Sequence, residues 1–362
     1  MMEDQQRRTE RLGLAQPLAA KSTPTLEDLA AAAGVSRSTA SRAINGGSRV
    51  SPEAQAAVDA AVVALAYTPN RAARSLVTRR TSSIALVIPE PDMRVMMDPF
   101  FAMVITGVTE SLRDTDVQMV LLMSRSDDSA RTVRYLRGGH VDGAIVVSHH
   151  QGDSWVGPLA ESGLPMIFIG RPWQSGPGLT YVDTDNYGGG IQAARHLIAA
   201  GSKRPATIAG PADMTAAVDR LRGWQAGLRE AGLAPSPVEF ADFTTVGAAA
   251  ATRRLMDAVP GTDAIFAASD LMAVGALEVL RDRGLQVPGD VALLGYDNHS
   301  ISALANPTLS TITQPMAEMA AKAGAMLLEE IEAPGTHPDP VIYPAELVVR
   351  RSSAPSAAAT KA

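Results

Sequence analysis

Between Thr25 and Asn45 the chain reads TLEDLAAAAGVSRSTASRAIN, a pattern that few folds accept. Leu26, Leu29, Ala30 and Ala33 recur at the spacing of one apolar face of a short helix. Gly34 supplies a tight turn and Val35 plugs it. Ser36 is an N-cap for a second helix that turns Arg37, Ser38, Thr39, Ser41 and Arg42 outward and Ala40, Ala43 and Ile44 inward. Two short helices about a glycine turn, the second rich in Arg, Ser and Thr, form the helix-turn-helix pattern, whose second helix suits the DNA major groove. A plain helical hairpin with a Gly turn shares this outline, and the residues that follow decide against it. Ser51-Pro52-Glu53 is an N-cap with Pro at the first helical position. Val58, Ala61, Val62 and Leu65 then predict a third helix closing a three-helix core. Tyr67-Thr68-Pro69-Asn70 ends it, and RAARSL follows from Arg71 to Leu76. So short a segment is a poor helix in water, so it is expected to order only against a partner.

From residue 82 the pattern changes. Continuous apolar runs alternate with helix-like stretches: residues 84–89, 117–123, 143–148, 165–170, 179–183, 206–211, 264–269 and 291–297. Continuous rather than alternating runs predict parallel strands buried on both faces, and strand-helix alternation predicts doubly wound α/β sheets. Eight or more strands suit two Rossmann-like subdomains better than one sheet. Residues 341–343 and 346–350 are expected to return as late strands. The expected organisation is a disordered arm at 1–22, a helix-turn-helix domain at 23–68, a hinge helix and linker at 69–81, a core at 82–351 and a disordered tail at 352–362. Crossovers between subdomains are expected near 183, 312 and 340. In open α/β sheets ligands bind beyond the carboxyl ends of strands. That singles out Glu90, Ser124, Ser148, Arg171, Asp183, Gly210, Ser269, Asp270, Asp297 and Asn298.

Composition enters as exclusion. Residues 1–80 carry 11 Lys/Arg against 7 Asp/Glu, which leaves −10 of the −6 total on the remainder. A basic end on an acidic body suits a module that touches nucleic acid while the rest stays off it. With no cysteine there is no disulfide scaffold, zinc finger or thiol chemistry. No apolar run approaches the length of a membrane helix and the N-terminus lacks a signal-peptide core, so a cytoplasmic, nucleoid-associated protein is expected. Nothing resembles a nucleophile-base set or a metal constellation, so an enzyme is not expected, and no cofactor or metal is called for. Gly188-Gly189-Gly190 lacks the spacing and lysine of a phosphate loop and is read as a helix start. His149-His150 is read as a solvated loop pair.

The motifs T-L-E-D-L-A-A-A-A-G-V-S-R-S-T-A-S-R-A-I-N, V-S-P-E and L-A-Y-T-P-N-R-A-A-R-S-L resemble the LacI/GalR family of bacterial transcription regulators. The resemblance implies a helix-turn-helix headpiece on a periplasmic-binding-protein-like core, acting as a homodimer on palindromic operator DNA under control of a small effector. It implies base reading by Arg37, Ser38 and Arg42, and phosphate contacts from Thr25, Ser36, Thr39, Ser41, Asn45 and Arg49. Asn70, Arg71 and Ala73 would lie in or beside the minor groove, with Leu76 as the wedge. The chain departs from the family at Ala54-Gln55, where Thr-Arg is usual, and at Ala40, where Val is usual.

For the core, the resemblance points to Phe100-Phe101, Gly170-Arg171, Arg220 and Gly295-Tyr296-Asp297. The implied effector contacts are Phe101, Arg171, Trp173, Arg220, Ser269, Asp270 and Asp297. Four of them have a plainer alternative: Arg220 pairing with Asp219 or Asp213, Asp297 capping the next helix, Trp173 packing a loop, Phe100 facing the cleft in place of Phe101. The stretch from Thr207 to Leu221, with Arg171-Pro172-Trp173, resembles actinobacterial members responsive to cellobiose or related oligosaccharides. The expected function is a repressor released by a disaccharide or oligosaccharide such as a β-glucoside; a corepressor-type regulator tightened by a purine or sugar phosphate is the alternative.

Overall fold

The computed structural model describes residues 24–45, 50–68, 80–124, 129–153, 155–173 and 179–354. The chain divides into two compact units, Met1–Arg79 and Arg80–Ala362.

In the first unit, helices α1 (Leu26–Ala32), α2 (Arg37–Ile44) and α3 (Pro52–Leu65) enclose a small core. Thr25 and Asp28 form a reciprocal capping box. Ser36 and Ser51 cap α2 and α3 by accepting from Thr39 N and Ala54 N. Such caps are each worth about 1 kcal/mol, which matters for helices of 7 and 8 residues. Gly34 takes φ +65°, the left-handed turn that brings α2 back across α1. Leu29, Ala40 and Val58 are fully buried where the helices meet, while Leu26, Ala33, Ile44, Val62 and Leu65 pack around them. The 1–22 arm, Arg49 and the hinge residues Asn70, Arg71, Ala73 and Leu76 lie outside the described residues.

The second unit holds two six-stranded sheets. The first contains β1 (Ser83–Ile88), β2 (Gln118–Met123), β3 (Gly143–Val147), β4 (Met166–Ile169) and β5 (Thr180–Thr184), with helices α4 (Asp92–Met97), α5 (Pro99–Ser111), α6 (Ser129–Arg137) and α7 (Val156–Ala160). The second contains β6 (Pro205–Ala209), β7 (Val238–Phe240), β8 (Ala264–Ala267), β9 (Ala292–Asp297) and β10 (Ser310–Thr313). Helices α8 (Asn186–Ala199), α9 (Thr215–Glu230), α10 (Thr245–Ala258), α11 (Asp270–Asp282) and α12 (Ser300–Leu304) accompany it. Helix α13 (Met316–Glu332) returns to pack on α5 in the first half. Finally β11 (Val341–Tyr343) joins β5, and β12 (Leu347–Val348) joins β10 as the antiparallel strand of an otherwise parallel sheet. The chain thus passes between the sheets at 184–186, 313–316 and 343–347, the last a few residues beyond the expected 340.

Strand β1 shows why the apolar runs behave as they do: Ile84 to Ile88 are all 0% exposed, covered on both faces. Edge strands such as β2 are only half-buried, and two further strands depart from the pattern in other ways. β7 is a three-residue edge strand, half-exposed, and β10 is Ser-Thr-Ile-Thr. The buried polarity of β10 is satisfied locally: Ser310 N donates to Ser352 Oγ at 2.8 Å, and Ser352 Oγ donates to Leu293 O. Ser352 and Ser353 are therefore part of the core, not of a tail beginning at 352, because they complete the hydrogen bonds of a buried strand. No helix among the described residues is long and apolar enough to cross a membrane.

The three glycines after Asp185 are explained by packing. Asp185 caps α8 by accepting from Gly188 N. A methyl at Gly189 would meet the Tyr296 ring, and one at Gly190 would overlap the Arg220 carbonyl of α9. The close α8–α9 crossing is what carries Arg220 inward. An exposed Gly→Ala exchange within a helix normally stabilises by up to ~1 kcal/mol. Here overpacking reverses the sign: Gly190→Ala is expected to destabilise by about 1–3 kcal/mol, read as a lowered unfolding midpoint by calorimetry.

Candidate functional site

In the first unit α2 presents a polar face. Ser36, Arg37, Ser38 and Arg42 are exposed and Thr39 and Ser41 half-buried, while Ala40 and Ala43 are turned into the core. Arg37 Nε lies 2.7 Å from Glu27, both side chains mostly exposed. Arg42 Nε donates to Ser38 O at 3.2 Å, and Asn45 Nδ2 to Ser41 O at 2.7 Å. An exposed ion pair of this kind is worth under about 1 kcal/mol, so the Arg37 guanidinium gives it up readily for a stronger acceptor.

In the second unit a cavity with about 700 Å³ of empty space, partly open to solvent, lies between the two sheets. Its walls are strand ends. From the first sheet come Ser148 and His149 after β3, Gly170 after β4 and Asp183 of β5, with Arg94, Asp98 and Phe100 from the segment following β1. From the second come Met214, Thr215 and Arg220 after β6, Phe243 after β7, Ser269 after β8 and Asp297 at the end of β9. Gln314, at a crossover, joins them. Ser148, Phe243, Asp297 and Asn298 all have positive φ (57°, 60°, 104° and 59°) although none is glycine. Held strain of this kind collects at binding sites, where the surrounding fold aims particular side chains.

Arg220 is only 4% exposed. Its Nε donates to Asn186 Oδ1 at 2.9 Å, Nη1 to Ala268 O at 2.6 Å and Nη2 to Gln314 Oε1 at 2.5 Å. Asp297 Oδ1 lies 3.4 Å from Nη1, and the guanidinium carbon sits 3.6 Å from the centre of the Tyr296 ring. It pairs with neither Asp213 nor Asp219. Asp297 does not cap the next helix, since His299 occupies the cap position of α12. Burial raises the pKa of Asp297 against the lowering effect of Arg220. Burial likewise pushes Asp183 up to about 6, opposed by the backbone N–H groups of Thr184 and Arg171. Asp98 is raised by burial too.

The other expected contacts divide. Ser269 lines the cavity while capping α11, its Oγ accepting from Met272 N. Asp270 does not reach the cavity: it is 0% exposed, and its carboxylate accepts from His299 N at 2.8 Å and Thr311 Oγ1 at 2.7 Å. It holds the 297–299 turn from behind, with burial and the Asp297 carboxylate pushing it up to about 8. Phe101 is 1% exposed in the first core, and Phe100 faces the cavity instead. Neighbours on a helix point roughly 100° apart, so only one of the pair can do so. Arg171 and Trp173 stand at the rim. Arg171 pairs with Asp219, Nη2 to Oδ2 at 2.5 Å, and Trp173 Nε1 donates to Asp213 O at 2.7 Å.

Several residues come from outside the expected set, Phe243 and His149 among them. Phe243 places its ring on the cavity wall, 5.6 Å from the Arg94 guanidinium carbon and 6.0 Å from that of Arg220. Gly210 leaves room for it, since a methyl there would meet the ring. His149 is buried, packs edge-on to Phe168 and makes no hydrogen bond through either ring nitrogen. Burial and the adjacent His150 lower it to about 4, so it is a neutral imidazole. His150 bridges the two halves, Nε2 3.2 Å from Glu90 Oε1 and Nδ1 2.9 Å from Asp213 Oδ2. The solvated reading of this pair fails because both rings are drawn into the cleft by strand β3. Among the described residues no group of three or more His, Asp or Glu is placed to hold a metal.

The bonds to Glu90, reinforced by Asp213, push His150 up to about 9 against burial. A raised folded-state value means that His150 contributes its full stability below about pH 6.5 and loses it as pH rises through about 9. The gap in unfolding midpoint between wild type and His150→Gln is therefore expected to shrink from about pH 7 to about pH 10; an unchanging gap would dismiss the charged bridge.

Comparison with known proteins yields matches over both units. The family described as bacterial regulatory proteins, lacI family, matches residues 25–70, and the periplasmic binding protein-like domain matches residues 194–353. The HTH-type transcriptional regulator CelR of Thermobifida fusca is 44% identical over 333 residues, 91% of this chain and 98% of that protein. The ribose operon repressor of Escherichia coli (strain K12) is 32% identical over 316 residues, 86% and 94% of the two chains. Among solved structures, a CelR–cellobiose complex superposes with a TM-score of 0.73 at 41% identity, covering 91% of this chain and 99% of that one. The lac repressor dimer bound to operator and the anti-inducer ONPF gives 0.82 at 25% identity, again over 91% and 99%.

Proposed function

Since this chain belongs to the LacI family of bacterial regulatory proteins, we propose that it represses transcription from a palindromic operator and lets go when a neutral disaccharide enters the cleft of its second unit. The observation that carries the sugar is the charge state of the cavity. Its two cations are already engaged, Arg220 by Asn186, Ala268, Gln314 and Asp297, and Arg94 by Glu90. Three carboxylates, Asp98, Asp183 and Asp297, also line it. A phosphate or other anion would meet those three carboxylates, whereas sugar hydroxyls can donate to carboxylates and also serve Arg94 Nε and His149, which are buried without a partner. Phe243 and Phe100 offer apolar faces for a pyranose ring. The 44% identity to CelR, and the CelR–cellobiose complex at 41%, make cellobiose the first effector to try.

In this reading the protein works as a homodimer, two headpieces addressing two half-sites, as in the operator-bound lac repressor dimer. Arg37, Ser38 and Arg42 read bases; Thr25, Ser36, Thr39, Ser41 and Asn45 hold phosphates. Arg49, Asn70, Arg71 and Ala73 keep the DNA contacts the family resemblance implies, with Leu76 as the wedge. Effector binding shifts the two sheets relative to each other, and operator affinity falls. A coupling of about 1–3 kcal/mol is the usual size of such an effect. A regulator of this type acts on chromosomal DNA, which places it in the cytoplasm at the nucleoid and gives it no catalytic role.

The test is fluorescence anisotropy on the protein's own upstream region at fixed salt. Cellobiose is expected to release the DNA, and sugar phosphates and purines to leave it bound; tightening by a phosphate or purine would reverse the sign of regulation. Asp297→Ala should keep operator binding but abolish release. Arg37→Ala should lower the preference for operator over random DNA by about 1–3 kcal/mol, the worth of one bidentate guanine contact. An unchanged preference would take Arg37 off the base-reading face.

A further inference from the structure

We propose that Asp213 is the catch of a latch across the rim of the cleft, and that this latch sets how long an effector stays enclosed. The effector is taken from the reading above; the latch itself rests on geometry. Three donors from the first half of the core converge on this one residue of the second. His150 Nδ1 lies 2.9 Å from its carboxylate, Gln151 N donates to its carbonyl at 2.8 Å, and Trp173 Nε1 donates to the same carbonyl at 2.7 Å. The donor side is braced. Glu90 Oε1 lies 3.2 Å from the far nitrogen of His150 and accepts from Ser148 Oγ at 2.6 Å, and the His150 backbone N donates to Asp153 at 2.7 Å. A second fastening stands beside it, where Arg171 pairs with Asp219 and Thr215 Oγ1 donates to Arg171 O.

Position makes these contacts a gate. The side chains of His150 and Asp213 are 24% and 52% exposed, whereas Arg220 and Asp297 in the cavity are 4% and 10% exposed. The latch therefore stands between cavity and solvent. Three of its members are also chain neighbours of cavity walls: His150 follows His149, Arg171 follows Gly170, and Asp213 precedes Met214. A ligand gripped by those walls draws the latch residues together, and it cannot leave until they part. Charge-assisted bonds of this kind slow dissociation more than they speed association.

The experiment uses the full chain. Trp155 and Trp224 are 3% and 0% exposed, so acrylamide quenching of tryptophan emission reads the half-buried Trp173 at the rim. Without ligand, His150→Ala and Asp213→Ala should each raise quenching, and the double variant should add nothing to either single one. Unchanged quenching, or strictly additive increments, would overturn the latch whatever the effector is. With cellobiose, stopped-flow release should be about fivefold faster in either variant, the scale of a partly exposed ion pair, with association nearly unchanged. Release at the wild-type rate would also overturn it. If cellobiose binds neither wild type nor variant, the effector reading falls while the ligand-free quenching still decides the latch.

Discussion

The core is organised around a buried charge. A guanidinium taken out of water costs several kcal/mol unless every donor is met, and removing a partner leaves that cost uncompensated. Arg220 meets its donors with groups from four separate segments: Asn186 where β5 passes to α8, Ala268 after β8, Asp297 at the end of β9 and Gln314 where β10 passes to α13. Two of these lie at crossovers between the sheets. The relative placement of the two halves and the geometry of the cavity are therefore set by the same side chain. Gly190 and the close α8–α9 crossing exist to let it in.

Parallel sheets direct all their carboxyl ends the same way, so loops distant in sequence converge on one space. The convergence here is selective. Ser148, Phe243 and Asp297, at positive φ just beyond or at strand ends, line the cavity with polar or aromatic groups, while Asp270 and Arg350 secure the turns behind them. Arg350 holds Asn298 Oδ1 at 2.7 Å, and Asp270 holds His299 N at 2.8 Å. A lining with three raised carboxylates and a neutral histidine beside its two arginines is well furnished for hydroxyls. Binding and closure are linked because the same strand ends continue outward into the rim contacts of His150, Arg171 and Asp213.

Much of this could be read from the chain. The headpiece was legible because its helices are short, capped and amphipathic, so local sequence and tertiary burial ask for the same residues: Leu29, Ala40 and Val58. Strands such as β1 announced themselves by unbroken apolar runs. β10 did not, since Ser310 is buried against Ser352 and Ser353 and Thr311 against Asp270, some 40 residues away in the chain. Asp297 was found because its strand end and the family resemblance agree on it, and Arg220, inside α9, by the resemblance alone. Phe243 was not: it follows a three-residue edge strand with no apolar signal of its own.

What the sequence by itself determined is the inventory: a helix-turn-helix unit, two parallel sheets, and a set of polar residues at strand ends. Those follow from periodicity, capping and turn chemistry, which act over a few residues. Which of those residues share the cavity was decided only by tertiary structure. Phe100 rather than Phe101, Ser269 rather than Asp270, and a histidine pair turned inward rather than solvated all depend on how a helix is rotated or a strand end is aimed. Rotation and aim are set by packing against segments far along the chain, and no local pattern encodes them.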